Sequence, residues 1–436
     1  MTFNKVVGMY GSSLEKGNAG GSFSSRCVGN WIVLLSFLTF MVFSNVKLLS
    51  QSIDPSVPWK MHIIDNSSFG SDGTKVCDVN KDGLTDIICG WEQGHVARLY
   101  FNPGPSEHWS YLEVPARDVE DALVVDLDAD GYDDIVTFSE GTHKRITIHW
   151  APKQNYADKS QWLSQDIPCT VGATQWMFGR PMDVDGKNGL DLIVAAKNEG
   201  AIVGWLESPS NPRDIDAWKL HTIAPASWVM SIEILDIDFD GQPDVLVSDR
   251  NNDTNGIKWF KHPGTQQTDK LHQRWDQHLV GLPKRDPMFF QTARYDHGLL
   301  EIWVPDIRNH VFHFKQLDSL GHDWALDSIP FPTGSGTVGK SAAIGDINGD
   351  GQNDLVTTYD GARERIGIFW SSHNAVDDHW IHHNVSGLAG NKYDFAYLID
   401  MDLDGDLDIL SSEENNNSST VAGLGVIWYE NPLFNK

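Results

Sequence analysis

The chain runs to 436 residues with 40% hydrophobic content and a formal net charge of −27. It can bury a sizeable core, yet it repels nucleic acid and anionic membrane surfaces, and no basic patch argues otherwise. No P-loop, Rossmann fingerprint or G-x-S-x-G elbow is present, which disfavours phosphoryl transfer, nucleotide binding and serine hydrolysis.

Residues 1–52 read as a targeting segment, a signal peptide or an N-terminal anchor, and stand apart from the fold. Lys5, Lys16 and Arg26 precede the apolar run WIVLLSFLTFMVF at 31–43, and Ser44, Ser50 and Ser52 offer cleavage sites. That run is short of the roughly 20 residues a membrane span takes. The long leader places an alternative start at Met9, and Cys27 leaves with the segment. A secreted, periplasmic or cell-surface protein is expected, with no membrane contact beyond the anchor.

The rest of the chain is built from a repeat. DVNKDGLTD at 78–86 sets oxygen-bearing side chains at alternate positions (Asp78, Asn80, Asp82), then a glycine for the sharp turn, then Asp86. Alternate residues of a tight loop converge on one point, and hard oxygen ligands at this density suit Ca²⁺, with Mg²⁺ second. The spacing returns as Asp126, Asp128, Asp130 and Asp134 and as Asp236, Asp238, Asp240 and Asp244. Asp346, Asn348, Asp350 and Asp354 repeat it, as do Asp400, Asp402, Asp404 and Asp408. At 183–191, Asp183, Asp185 and Asp191 keep the first, third and ninth positions, but Lys187 takes the fifth, so this site is weaker and its choice between Ca²⁺ and Mg²⁺ is open. A single copy could be a polar surface hairpin, whereas a period of about 50 residues marks a propeller or solenoid. Up to six ions are expected. Strand-like runs such as ALVV and IVTF flank the loops where an EF-hand would have helices.

One unit departs from the pattern. ARYDHGLLE at 293–301 keeps Gly298 at the turn and Glu301 at the last position but lacks the alternating carboxylates, so a blade without an ion is expected there.

A second repeat counts the units. A Trp followed five residues later by Ile or Val occurs at Trp59, Trp109, Trp162, Trp218, Trp275, Trp324 and Trp380. Four of these carry a histidine three residues on (His62, His221, His278, His383), expected to pack or hydrogen-bond on outer strands. A third repeat ends a strand of each unit in an aromatic: Tyr100, Trp150, Trp205, Trp259, Phe314, Trp370 and Trp428. Strand, loop, strand, turn, aromatic strand, turn and Trp strand make a four-stranded antiparallel blade. Seven blades over residues 53–436 close into an all-β propeller. The first Trp strand precedes the first loop, so it should complete the last blade and close the ring, leaving only short edges. Cys77 and Cys89, flanking the first loop, are expected as buried strand residues, with a cross-strand disulfide as the second option.

The tandem D-x-D-x-D-G-x-x-D loops resemble the FG-GAP/VCBS repeats of integrin α-chain propellers and of many bacterial secreted proteins, over about residues 57–432. The Phe-Gly and Gly-Ala-Pro elements are not present in clean form. The Trp-x-x-His strands and the WYENP ending look closer to the propeller of aldos-2-ulose dehydratase-type proteins, whose cupin domains this chain has no room for. The resemblance implies fold and metal, and function only through the site.

In such propellers the metal loops lie on one face, and ligands sit on the other, among the loops entering each blade and the turns after each second strand. Counting along the repeat places Glu92, Glu140, Lys197, Arg250, Asp360 and Glu414 there, beside His95, His143, Asp306 and Arg363, with Trp176, Trp228 and Asp394 from the entering loops. Trp faces stack on sugar C–H surfaces, while carboxylates and Arg bond hydroxyls. Polar strand ends account for such a set equally well. The favoured function is a non-catalytic module binding an extracellular glycan or protein, with Ca²⁺ stiffening the hairpins. The alternative is a sugar lyase or dehydratase, with His95 or His143 as base and Lys197 or Arg250 stabilising an enolate-like intermediate.

Overall fold

Strands of four to eight residues, each nearly all buried where it is central and half-exposed where it is outermost, assemble into seven separate four-stranded antiparallel sheets. The computed structural model describes residues 57–104, 108–252, 255–374, 376–415 and 422–432. Residues 1–52, expected as a targeting segment, lie outside them. Among the described residues no helix is long and apolar enough to cross a membrane.

Six blades are consecutive in sequence, covering 71–115, 119–166, 175–225, 229–281, 291–330 and 338–384. In the seventh, Tyr393–Ile399, Asp408–Glu413 and Gly425–Glu430 are joined by Lys60–Asp65, which pairs antiparallel with Gly425–Glu430 from Lys60↔Glu430 to Asp65↔Val426. The ring therefore closes through the N-terminal strand, as the offset of the first Trp requires. First strands of neighbouring blades pack against one another around the axis.

The repeats explain the packing between blades. The third-strand aromatics Tyr100, Trp150, Trp205, Trp259 and Phe314 are almost wholly buried. His62, His221, His278 and His383 lie on Trp428, Trp205, Trp259 and Trp370 with ring centroids 4.0, 4.7, 4.3 and 3.9 Å apart, so the Trp-x-x-His strands are stacking strands. Cys77 and Cys89 are free thiols, and Cys89 Sγ accepts from Thr74 Oγ1 at 3.3 Å.

A feature with no sequence periodicity behind it shapes the axis. The pairing of first and second strands slips by a residue in six blades, at 72–75, 119–121, 176–178, 229–231, 339–342 and 393–396. Bulges of this kind bend a strand and re-aim its side chains. In the fifth blade Gln291–Arg294 pairs with Leu300–Pro305 without a slip.

Candidate functional sites on the two faces of the ring

On one face the acidic hairpins between first and second strands wrap around their first carboxylate. Asp126 accepts backbone N–H groups from Asp130 and Gly131 at 3.0 and 2.9 Å, and Asp78, Asp346 and Asp400 accept from their own fifth and sixth residues. Asp236 takes Gly241 N–H at 3.1 Å. The turn glycine has φ of 93° at Gly131, a left-handed conformation that suits glycine. In the loop with Lys187 the pattern changes, and Asp183 accepts from Gly186 at 2.8 Å.

Three sets, Asp126/Asp128/Asp134, Asp183/Asp185/Asp191 and Asp236/Asp238/Asp244, bring their carboxylate oxygens within 4.8 Å of one another. Asp128 Oδ1 and Asp236 Oδ1 are buried and lack a hydrogen-bond partner among the described residues. Clustered carboxylates with orphaned oxygens fit a hard divalent cation. Side-chain cations lean onto the same groups: Arg213 on Asp128 and, at 3.4 Å, Asp130; Lys187 on Asp185 at 3.0 Å; Lys261 on Asp238 and, at 2.8 Å, Asp240.

The ninth residue has a second role that its spacing does not disclose. Asp134 takes Leu127 N–H on one oxygen and Ala151 N–H on the other, bracketing the hairpin to the end of the third strand. Asp86, Asp191, Asp244 and Asp408 make the same pair of bonds. Asp354 holds Ile347 N–H. Burial pushes Asp134, Asp191, Asp244, Asp354 and Asp408 up to about 7.

Glu301 does not hold the corresponding position. The second strand of blade five starts at Leu300, so Glu301 faces outward and pairs with Lys315 at 3.0 Å and His313 at 3.5 Å. At the end of the third strand Gln316 instead accepts Leu300 N–H and donates across to Ile237 O of blade four, while Tyr295 Oη donates to Gln316 O from the hairpin. Arg294 ties the hairpin by donating to Gly298 O and Asp236 O at 2.6 and 3.0 Å.

On the opposite face a funnel of about 230 Å³ opens on the axis, lined by Asp72, Glu92, Glu120, Glu140, Lys197, Trp228, Met230, Arg250, Met288, Phe289, Val338, Lys340, Asp360 and Lys392. Counting along the repeat therefore reached Glu92, Glu140, Lys197, Trp228, Arg250 and Asp360. Carboxylates here are answered by cations. Lys197 pairs with Glu140 and, at 3.4 Å, Glu120; Lys340 with Asp394 at 2.5 Å; Lys392 with Glu414. Asp394 and Glu414 thus stand just behind the lining, and with Asp72 they form a buried trio of carboxylates within 4.8 Å. Burial and then Asp394 push Glu414 up to about 8 and raise Asp72. Burial opposes the charge on Asp394 too, but Lys340 and Lys392 outweigh it and hold its carboxyl below the usual range.

Trp228 sits under two cations, Arg250 at 4.1 Å and Lys197 at 4.6 Å from its ring centroid. Its backbone is pinned by Asp249, which accepts Trp228 N–H at 2.9 Å and is paired with Lys258 at 2.9 Å. Trp228 Nε1 and Arg250 Nε are buried without hydrogen-bond partners among the described residues. The ring face is therefore engaged by cations, and polar groups rather than bare aromatic surface front the funnel.

Five expected residues are elsewhere. Trp176 is fully buried between blades two and three and donates to Thr170 O, because the inner-strand slip turns it into the core. Asp306 caps its own turn, accepting from the backbones of Arg308, Asn309 and His310, and pairs with Arg285 at 2.7 Å. Arg363 is exposed outside the lining. His95 is an exposed turn residue with φ of 61°, its Nδ1 on Glu92 O. His143 packs in a turn whose N–H bonds Asp118. Neither histidine lines the funnel, so the base-plus-cation pairing of the lyase alternative is not assembled there.

Asp72, Glu120, Met230 and Lys340 line the funnel but were not anticipated. All four sit at inner-strand slips, which leave no trace in the hydrophobic pattern.

The FG-GAP repeat family model matches residues 338–369, the first two strands of blade six with the DINGDGQND hairpin and the start of the third strand. The chain thus carries an FG-GAP repeat within a seven-bladed β-propeller. No curated protein matches it. Among solved structures, BBS1N in complex with ARL6DN, soaked with lead, is 10% identical with a TM-score of 0.49, covering 86% of this chain and 98% of that one. The NanB sialidase from Streptococcus pneumoniae is 9% identical with a TM-score of 0.44, covering 87% and 72%.

Proposed function

We propose that the chain is a secreted, calcium-stabilised binding module that takes a carbohydrate group in its axial funnel. The observation that carries this reading is the funnel wall. Lys197 and Arg250 converge over Trp228, facing Glu92, Glu120 and Glu140, with buried donors at Trp228 Nε1 and Arg250 Nε left open. A sugar's vicinal hydroxyls both donate and accept, so they can enter such alternating charges without stranding either sign. The volume of about 230 Å³ falls below the roughly 300–1,000 Å³ usual for drug-sized ligands, so one sugar residue or a protein-borne terminal sugar suits it better than a long chain.

In this reading the hairpins on the other face hold Ca²⁺ through the carboxylates of the six acidic loops, with aspartate at all four ligand positions of 126–134, 236–244 and 400–408 offering the full alternating set. Bound ions would relieve the repulsion among those carboxylates and hold the strand ends that frame the ring. The apolar run at 31–43 supports export, and millimolar extracellular Ca²⁺ would keep even weak loops filled.

The test is a glycan array probed with the full chain in millimolar Ca²⁺, repeated with Arg250→Ala and Lys197→Met. Binding that both substitutions abolish is expected. Binding that survives both, or no binding to any glycan, sinks the carbohydrate reading.

A further inference from the structure

Blade three carries another cluster of ligand atoms on its outer flank, built from residues outside the acidic loops. Glu207 ends the third strand Ile202–Glu207, and His221 lies on the neighbouring fourth strand Lys219–Pro225, opposite Trp205. The third member, His272, comes from blade four, just after the short helix Thr268–Leu271. Glu207 Oε2 stands 2.8 Å from His221 Nε2 and 3.7 Å from His272 Nε2. The three ligand atoms all lie within 4.8 Å of one another. We propose that Glu207, His221 and His272 form a binding site for a divalent transition cation of the Zn²⁺ type, with its fourth coordination position open to solvent or to a partner's donor group.

Two imidazoles and one carboxylate are a donor set for Zn²⁺ rather than for Ca²⁺, which takes oxygens. Zinc bonds of about 2.0–2.1 Å in tetrahedral array require ligand atoms about 3.3 Å apart. The two Glu207–His separations straddle that value, so small side-chain rotations close the site. The ligands are also held in place before any ion arrives. His221 and His272 both lie on Trp205, at 4.7 and 5.8 Å between centroids. The segment bearing His272 is anchored by buried Leu271 and by Trp275, whose N–H bonds Ile223 O and whose Nε1 bonds Leu271 O. Glu207 Oε1 faces Lys219 Nζ at 3.6 Å, which leaves Oε2 toward the imidazoles. Such outer contacts fix a ligand's orientation and raise affinity.

The repeat supplies its own control one blade on. His278 lies on Trp259, and His322, from the matching segment of blade five, stacks on His278 at 5.0 Å. There Lys261 stands two residues after the Trp, where blade three has Glu207, and its ammonium goes to Asp238 and Asp240. Blade four therefore has the paired rings with a cation in place of the carboxylate and should bind no zinc.

The experiment is calorimetric titration of the full chain with ZnCl₂ in excess Ca²⁺, so that the acidic loops do not compete. One Zn²⁺ per chain is expected, lost in His272→Ala and weakened by about tenfold or more in Glu207→Gln, with His322→Ala unchanged. His272 is 42% exposed at its side chain, and an unaltered far-UV spectrum of His272→Ala would establish that its fold is intact. Absence of saturable zinc binding to the wild type, or equal affinity in His272→Ala and His322→Ala, would overturn the assignment.

Discussion

Blade five and its six sisters build the same hairpin with opposite chemistry. In five of the six a buried aspartate brackets the turn to the third strand, in blade six Asp354 holds Ile347 and Asn348 N–H, and further carboxylates crowd the loop. In blade five, the neutral Gln316 takes Leu300 N–H where the others use a carboxylate, and Gln316 and Arg294 each also donate to a carbonyl of blade four. The hairpin thus forms without negative charge at that position. The surplus charge of the six is a cost to the bare fold that a bound cation would offset.

The sharpest way to break this comparison is to remove divalent ions. A ligand that binds only the folded state at 100 times its Kd adds about 2.7 kcal/mol per site. Stripping several sites should lower Tm by ten degrees or more, on the scale of about 2–4 °C per kcal/mol for domains of 150–250 residues. Amide exchange should rise around 78–86, 126–134, 236–244, 346–354 and 400–408 while staying flat at 295–299. A melt in excess chelator that matches the melt in Ca²⁺ would remove the metal from the account.

How much of this was legible beforehand differs between the two faces. The loops could be read because their charges recur at a fixed interval, and ring closure could be read because Trp59 begins a strand with no loop before it. The aspartate bracket was hidden, since one side chain of Asp134 or Asp244 makes the bracket and also belongs to the acidic cluster. Glu301 was misplaced by a single position because nothing in LLE marks where the strand begins. On the funnel face, inner strands buried on both sides show no alternation, so the slips that aim Asp72, Glu120, Met230 and Lys340 inward could not be seen, and Trp176 was taken for a surface aromatic. Glu207, His221 and His272 come together only because a segment of one blade folds back on another.

Acid separates the blades next. His149 and His313 each immediately precede the third-strand aromatic, in blades two and five. His149 is fully buried between Thr137 Oγ1 and Ser164 Oγ, and burial lowers it to about 3 despite Asp166 nearby. The unfolded chain therefore takes up a proton near pH 6.5 that the folded state refuses, so this histidine's contribution to stability is lost as pH drops from about 6.5 toward 3, by on the order of 5 kcal/mol in full. Beside His313, Glu301 faces opposing burial, but His313 and Lys315 prevail and hold it at about 2. Its contribution is present above about pH 4.5 and fades only below that. Replacing His149→Gln should flatten the stability profile between pH 6.5 and 4.5 in urea titrations, and Glu301→Gln should leave that window alone. A His149→Gln profile as steep as wild type would mean that other groups carry the acid response.

The smallest effect should come from Arg294. Its guanidinium is exposed and bonds two backbone carbonyls, Gly298 O and Asp236 O, the second reaching across to the loop of blade four. Each such bond contributes about 0.5–1.5 kcal/mol net, less at an exposed site where water replaces the donor. Arg294→Ala should thus lower stability by about 1 kcal/mol, with the same loss in Ca²⁺ and in chelator if it acts only within its own hairpin. If its hold on Asp236 O also shapes the neighbouring loop, the loss grows in Ca²⁺, because the 236–244 site binds its ion less well once Arg294 is gone. A double comparison of wild type and Arg294→Ala, each melted with and without Ca²⁺, distinguishes a hairpin that merely dispenses with metal from one that helps its neighbour hold it.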